Sequence, residues 1–132
     1  MSLTAEVSRT YELGDLNDLP VLASTKIYEG AAVGISSGYA RPLAAGDDFV
    51  GFADRTVDNS DGSSGDVVIP VKAKGRIKLP VSSAAIGNIN DGVYADGDNS
   101  FTITSSGHSL IGYIRRHITG TTCIVEFKPK EG

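Results

Sequence analysis

One run constrains the fold of this chain more than any other: Gly65-Asp66-Val67-Val68-Ile69-Pro70-Val71-Lys72-Ala73-Lys74-Gly75-Arg76-Ile77-Lys78-Leu79-Pro80-Val81. Its odd positions read Val67, Ile69, Val71, Ala73, Gly75, Ile77, Leu79 and Val81, and its even positions from 72 to 78 read Lys72, Lys74, Arg76 and Lys78. Successive strand side chains point to opposite faces, so this pattern predicts an apolar face backed by a basic stripe. A hairpin turning at Lys74-Gly75 would pair Ala73 with Arg76 and mix the two sets, because cross-strand partners share a face. The unbroken parity favours one extended strand, bent at Gly75 or passing from one sheet to another, since a straight strand of this length would span roughly 50 Å at ~3.3 Å per residue.

The remainder is a series of short apolar segments punctuated by turn residues. Val21–Ala23, Thr25–Tyr28, Ala32–Ile35, Tyr39–Leu43 and Phe49–Val57 are separated by Glu29-Gly30, Ser36-Ser37-Gly38, Ala45-Gly46-Asp47-Asp48 and the turn-rich Asp58–Gly65. Ser82 to Ile89 is the best candidate for one helical turn. Asp96-Gly97-Asp98-Asn99 and Thr119-Gly120 read as hairpin turns between Gly92–Ala95 and Phe101–Thr104, and between Leu110–Ile118 and Thr121–Phe127. No segment sustains a 3.6-residue period. The prediction is an all-β single domain, a jelly-roll-like sandwich or small barrel of about 8–10 short strands. Residues 1–20 read as an extended N-terminal arm or an edge strand, and 21–130 as the β domain; Gly14–Pro20 is read as too turn-rich for a regular strand. Met1-Ser2-Leu3 and Glu131-Gly132 resemble vector-derived additions.

There is an internal echo. Val50-Gly51-Phe52-Ala53-Asp54-Arg55-Thr56-Val57 and Ile111-Gly112-Tyr113-Ile114-Arg115-Arg116-His117-Ile118 share the pattern Val/Ile-Gly-Phe/Tyr-x-x-Arg-x-Val/Ile, and Ile27–Gly30 resembles Ile89–Gly92. Either Gly-rich strands coincide by chance or two similar β units occupy about 27–81 and 89–128. On the second reading the basic stripe belongs to the first unit only, because Glu126 stands on the corresponding face of the last strand.

Chemistry is sparse. His108 and His117 have no partner pattern for nucleophilic catalysis, and there is no Gly-x-Ser-x-Gly elbow. Gly30–Gly34 fits no phosphate or dinucleotide fingerprint, and the Asp58–Gly62 and Asp96–Asn99 turns lack the later bidentate Glu of a calcium loop. Catalytic residues, cofactor and metal are each expected to be none. Cys123, alone, reads as a buried strand residue. No basic-then-apolar leader or long apolar run is present, so folding in a cytoplasm is expected. A net charge of −4 argues against a general nucleic-acid partner. The candidate contact residues are Lys72, Lys74, Arg76 and Lys78, with Arg115 and Arg116 as a second basic spot and Arg9 and Tyr11 on the arm. The stripe is either a solvated, edge-protecting face or a docking surface whose mutual repulsion an acidic partner would relieve.

The run Ala23–Gly30, Val50–Ala53, Val57–Ser60 and Lys72–Ile77, with Gly92–Ala95, Phe101–Thr104, Leu110–Ile114 and Gly120–Phe127, resembles tailed-bacteriophage capsid cement (head decoration) proteins over residues 21 to 128. The resemblance implies a non-enzymatic phage or prophage virion protein on the capsid exterior, made in the bacterial cytoplasm. Its partners would be the major capsid protein and itself, as a homo-dimer or secondarily a trimer, with no membrane. A tail-fibre or sugar-binding β module and a small barrel enzyme are the alternatives; a histidine hydrogen-bonded to a carboxylate in a deep cleft would favour the latter.

Overall fold

The computed structural model describes residues 4–6 and 14–128. Arg9 and Tyr11 therefore lie outside the described residues. The described residues are all-β, as expected, with a single 3-10 turn among them at Ile86–Asn88. The described residues form twelve strands: β1 (Leu16–Pro20), β2 (Thr25–Ile27), β3 (Ala32–Ser36), β4 (Tyr39–Pro42), β5 (Phe49–Ala53), β6 (Val57–Asn59), β7 (Val68–Lys72), β8 (Gly75–Pro80), β9 (Gly92–Gly97), β10 (Ser100–Thr102), β11 (Ser109–Thr119) and β12 (Thr122–Phe127).

Leu16–Pro20 is a regular strand after all: β1 pairs antiparallel with β7 from Leu16–Lys72 to Pro20–Val68. It is an edge strand, where Pro20 needs no ladder donor. The turn residues before it, Gly14 and Asp15, end the irregular stretch rather than extend through it.

The two five-stranded sheets have the order β1-β7-β5-β3-β4 and, read from the matching edge, β8-β12-β11-β9-β10. The orders correspond strand for strand, and every pairing is antiparallel. Each sheet also curls until its edges meet at one parallel bridge, Val21 with Ala40 in the first and Ser82 with Thr102 in the second. Each sheet is thus built from one stretch of chain, so strands do not alternate between sheets as in a jelly roll. A third, two-stranded ribbon, β2–β6, covers one end of the first unit. Asn59, on β6 and buried, anchors it: its side-chain nitrogen reaches the carbonyls of Val21, Leu22 and Ser63 at 3.3, 3.0 and 3.0 Å.

The long patterned run crosses between these units. Strand β7 ends at Lys72 in the first sheet and β8 starts at Gly75 in the second, so only Ala73 and Lys74 join them. The parity survives the crossing: Ile69, Val71, Ala73, Leu79 and Val81 are buried, while Lys72, Lys74, Arg76 and Lys78 are exposed. The units therefore divide between Lys72 and Gly75, because residues 75–80 hydrogen-bond to β12. Leu19-Pro20-Val21 and Leu79-Pro80-Val81, identical triplets sixty residues apart, close the equivalent strands β1 and β8. They are a repeat signal more exact than the Gly-aromatic echo.

The echoing glycines occupy one structural position. A Cβ on Gly51 would lie 2.3 Å from the Lys72 carbonyl oxygen, and one on Gly112 would lie 2.0 Å from that of Glu126. In both units the neighbouring strand passes too close for a side chain. Both positions adjoin a register shift, where Val50 and Ile111 bulge out of the ladder. Upstream, the hydrogen bonds match Gly30 with Asn90, not with Gly92. Gly30 N donates to Ala53 O at 3.0 Å, and Asn90 N donates to Ile114 O at 2.7 Å. Both residues have positive φ, 87° and 74°, a conformation glycine and asparagine accept most easily.

The first unit has its own small interior of Val21, Ile27, Val33, Ala40, Ala53, Ile69 and Val71. The larger core lies inside the second unit and continues to the outer face of the first, joining Ala32, Leu43, Phe49 and Phe52 to Val93, Phe101, Ile114, Val125 and Phe127. All four phenylalanines meet there: Phe52 lies 5.2 Å from Phe49, 4.9 Å from Phe127 and 6.1 Å from Phe101, centroid to centroid. The Phe52–Phe127 pair is edge-to-face at 76°.

Gly51→Ala and Gly112→Ala should each cost roughly 3 kcal/mol or more, because the obstacle is ladder backbone that cannot swing aside. Gly87→Ala, with open space around it, should stay within about 0.5 kcal/mol. Phe52→Ala should cost about 3–5 kcal/mol and loosen one unit from the other. Chemical denaturation of the four variants checks all of this.

Candidate functional site

Cross-strand register settles where the expected contact residues lie. Lys72 is on the first sheet and pairs with Asp54 at 3.7 Å; Lys74, in the link, pairs with Asp15 at 3.6 Å. Arg76, on β8, meets Glu126 at 3.2 Å. Three of the four cations in the stripe thus already face a carboxylate within the chain, so their mutual repulsion does not by itself call for an acidic partner. Nor does the stripe belong to the first unit only, since Arg76 and Lys78 are part of the second.

The structure does bring Arg76, Lys78, Arg115 and Arg116 together. Arg76 is opposite Glu126, which is opposite Tyr113; Lys78 is opposite Ile124, which is opposite Arg116. Cross-strand partners share a face, so two rows running over β8, β12 and β11 form one outer surface. Arg115, bulged between them, reaches Glu126 at 3.6 Å and donates to Asn90 Oδ1 at 3.0 Å, with its guanidinium 5.7 Å from the Tyr113 ring centroid. Two of these cations, Arg76 and Arg115, share the Glu126 carboxylate. Lys78 and Arg116 form no ion pair among the described residues.

Tyr113 and Leu110, 40% and 47% exposed, extend this surface as its apolar part. Sequence alternation concealed them: the bulge at Ile111 shifts the parity of β11, so Leu110 and Tyr113 share a face although they are three residues apart. Beside them is a half-open groove of about 550 Å³, lined from the first unit by Gly46–Phe49 and from the second by His108–Tyr113, Arg115, Glu126 and Lys128.

The groove wall is rigid on the first-unit side. Asp47 takes a two-pronged contact from Arg41, Nε to Oδ2 at 3.0 Å and Nη2 to Oδ1 at 2.7 Å, and accepts Ala44 N at 3.0 Å. Across the groove, the buried Ser109 hydroxyl donates to the Asp47 carbonyl at 2.6 Å. Hydrogen bonds from Arg41 hold the Asp47 carboxyl below the usual carboxylate range.

Neither histidine meets a carboxylate in hydrogen-bond range. His108 Nδ1 contacts the Thr104 carbonyl at 2.8 Å, and its Nε2 lies 3.6 Å from Asp96 Oδ2. His117 Nε2 contacts the Gly120 carbonyl at 2.8 Å, at the tip of the β11–β12 hairpin. Cys123 is buried in β12, where burial pushes its thiol pKa up. Asp58 accepts the Ser60 amide at 2.9 Å, and Asp66 accepts the Ser63 amide at 2.9 Å, so these acids order their own turn. Among the described residues no three His, Cys, Asp or Glu side chains converge as a metal would require, and no helix is long and apolar enough to cross a membrane.

No protein-family model matches the chain, and no curated protein matches it. In fold it is similar to a chain of the solved structure "The capsid of Myoviridae Phage XM1", with a TM-score of 0.55 and 18% sequence identity. The match covers 96% of this chain and 98% of that one. It therefore includes both units and the link between them.

The depressed pKa of Asp47 fixes the sign of a pH effect. A carboxyl with a lowered folded-state pKa contributes stability above its unfolded value, near 3.8, and loses it as pH falls through the folded value. Wild type should lose melting temperature below about pH 4, and Asp47→Asn should start lower and show a smaller acid-dependent drop in the same scan.

Proposed function

We propose that this chain is a non-enzymatic phage or prophage virion protein that binds the outer surface of a capsid shell and stabilises it by bridging coat subunits. The observation that carries the reading is the end-to-end likeness in fold to a chain of a phage capsid. The sequence resemblance to capsid cement proteins points the same way. Binding that occurs only on the assembled shell stabilises the shell by mass action.

On this reading the partners are the major capsid protein and further copies of the chain. The contact set is Arg9, Tyr11, Lys72, Lys74, Arg76, Lys78, Arg115 and Arg116, as capsid or oligomer contacts. Lys72 and Lys74 are the weaker members, since Asp54 and Asp15 already offset them.

A sugar-binding or tail-fibre module is the second reading, favoured by the groove beside the exposed Tyr113. Co-sedimentation of the purified chain with expanded capsids of its phage separates the two. Saturable binding with a raised capsid melting temperature is expected. Failure to bind capsids, with binding on a glycan array, would replace the first reading by the second.

A further inference from the structure

The two units are equivalent strand for strand, yet their outer faces differ in one respect. On β5, Phe52 is opposite Ala32 and Phe49 is opposite Gly34; on β11, Tyr113 is opposite Gly92 and Leu110 is opposite Tyr94. Phe49 and Phe52 therefore correspond to Leu110 and Tyr113. The first pair is buried, 8% and 1% exposed, because the second unit packs over it with Phe101 and Phe127. The second pair is 47% and 40% exposed, and no described strand packs over it. The covered and open faces adjoin, since Phe49 lines the groove together with Leu110 and Tyr113.

Charge says what kind of surface would cover the open face. Residues 75–128 carry Arg76, Lys78, Arg115, Arg116 and Lys128 against Asp91, Asp96, Asp98 and Glu126, a net of +1. Residues 14–72 carry nine acids against Lys26, Arg41, Arg55 and Lys72, a net of −5. The outer face of the second unit is the basic part of the basic half, so two such faces would repel each other. The first unit offers the opposite sign, with the exposed Asp58 on β6 and the exposed Asp61 and Asp66 in the turn that follows it.

We infer that the outer face of the second unit, with Tyr113 and Leu110 at its centre and Lys78, Arg76 and Arg116 beside them, docks the acidic first unit of a second copy of this chain. The contact is head-to-tail, repeating between chains the unit-on-unit order found within one. A contact between unlike surfaces propagates until it closes, which favours a ring over a two-fold dimer. This assigns an occupant to one of the proposed contact surfaces, and it stands without capsid binding.

Sedimentation equilibrium of the full chain without capsids, over a range of concentrations and at low and high salt, tests it. Wild type should self-associate, more weakly as salt rises. Lys78→Glu combined with Arg116→Glu changes two side chains that form no ion pair among the described residues, so the fold should persist while association weakens at least about tenfold. Tyr113→Ala should weaken association without adding charge repulsion. A wild type that stays monomeric throughout overturns the inference, as does association that neither variant alters. Monomeric wild type whose capsid binding is lost in the Lys78/Arg116 variant also overturns it, and gives the face to the coat protein. Self-association sensitive to the variants but without capsid binding upholds this inference while removing the capsid reading.

Discussion

The meeting of four phenylalanines at the junction of the units is the contact on which the architecture depends. Each curled sheet encloses only a small interior; the first holds mainly valines, isoleucines and alanines. Small all-β units of this size bury too little surface to be robust alone. Phe49 and Phe52 on the outside of one sheet, and Phe101 and Phe127 within the other, extend the second unit's core onto the outer face of the first, beside the first unit's own interior. That contact also fixes which outer face is covered and which is open.

The crossing at Ala73-Lys74 follows from the same geometry. A strand that leaves one sheet and joins another keeps its two-residue alternation, so its apolar side faces an interior in both places. The basic side stays in solvent but meets different neighbours before and after the crossing. Lys72 on β7 belongs with Asp54, just past the end of β5; the equivalent pair on β11 and β12 is Arg115 with Glu126, the same contact with its charges reversed. Exposed pairs like these add little stability. They do decide which cations of this surface keep an ion pair, and among the described residues Lys78 and Arg116 have none.

Much of the fold was legible in the sequence because its signals are local. Turn residues marked the hairpins at Asp98-Asn99 and Gly120, and parity marked the buried face from Val67 to Val81. Gly51 and Gly112 marked a shared close approach of two backbones, although the sequence pattern alone left chance as an explanation. The strand at Leu16–Pro20 was not legible, since its few apolar residues rely on β7, fifty residues away, for pairing. The candidate surface was half legible: its cations stood out, but Tyr113 and Leu110 were hidden by a bulge that breaks the alternation.

By itself the sequence determined the all-β class, the two faces of the patterned run and the absence of any familiar catalytic spacing, because strand alternation and turn chemistry act over a few residues. Only the tertiary structure decided that this run serves two sheets, that three of its cations already have acidic neighbours, and that Arg76 and Lys78 share a surface with Arg116 and Tyr113. Those relations depend on which distant strands become neighbours, and register across a sheet is set by packing of the whole core, not by any one segment.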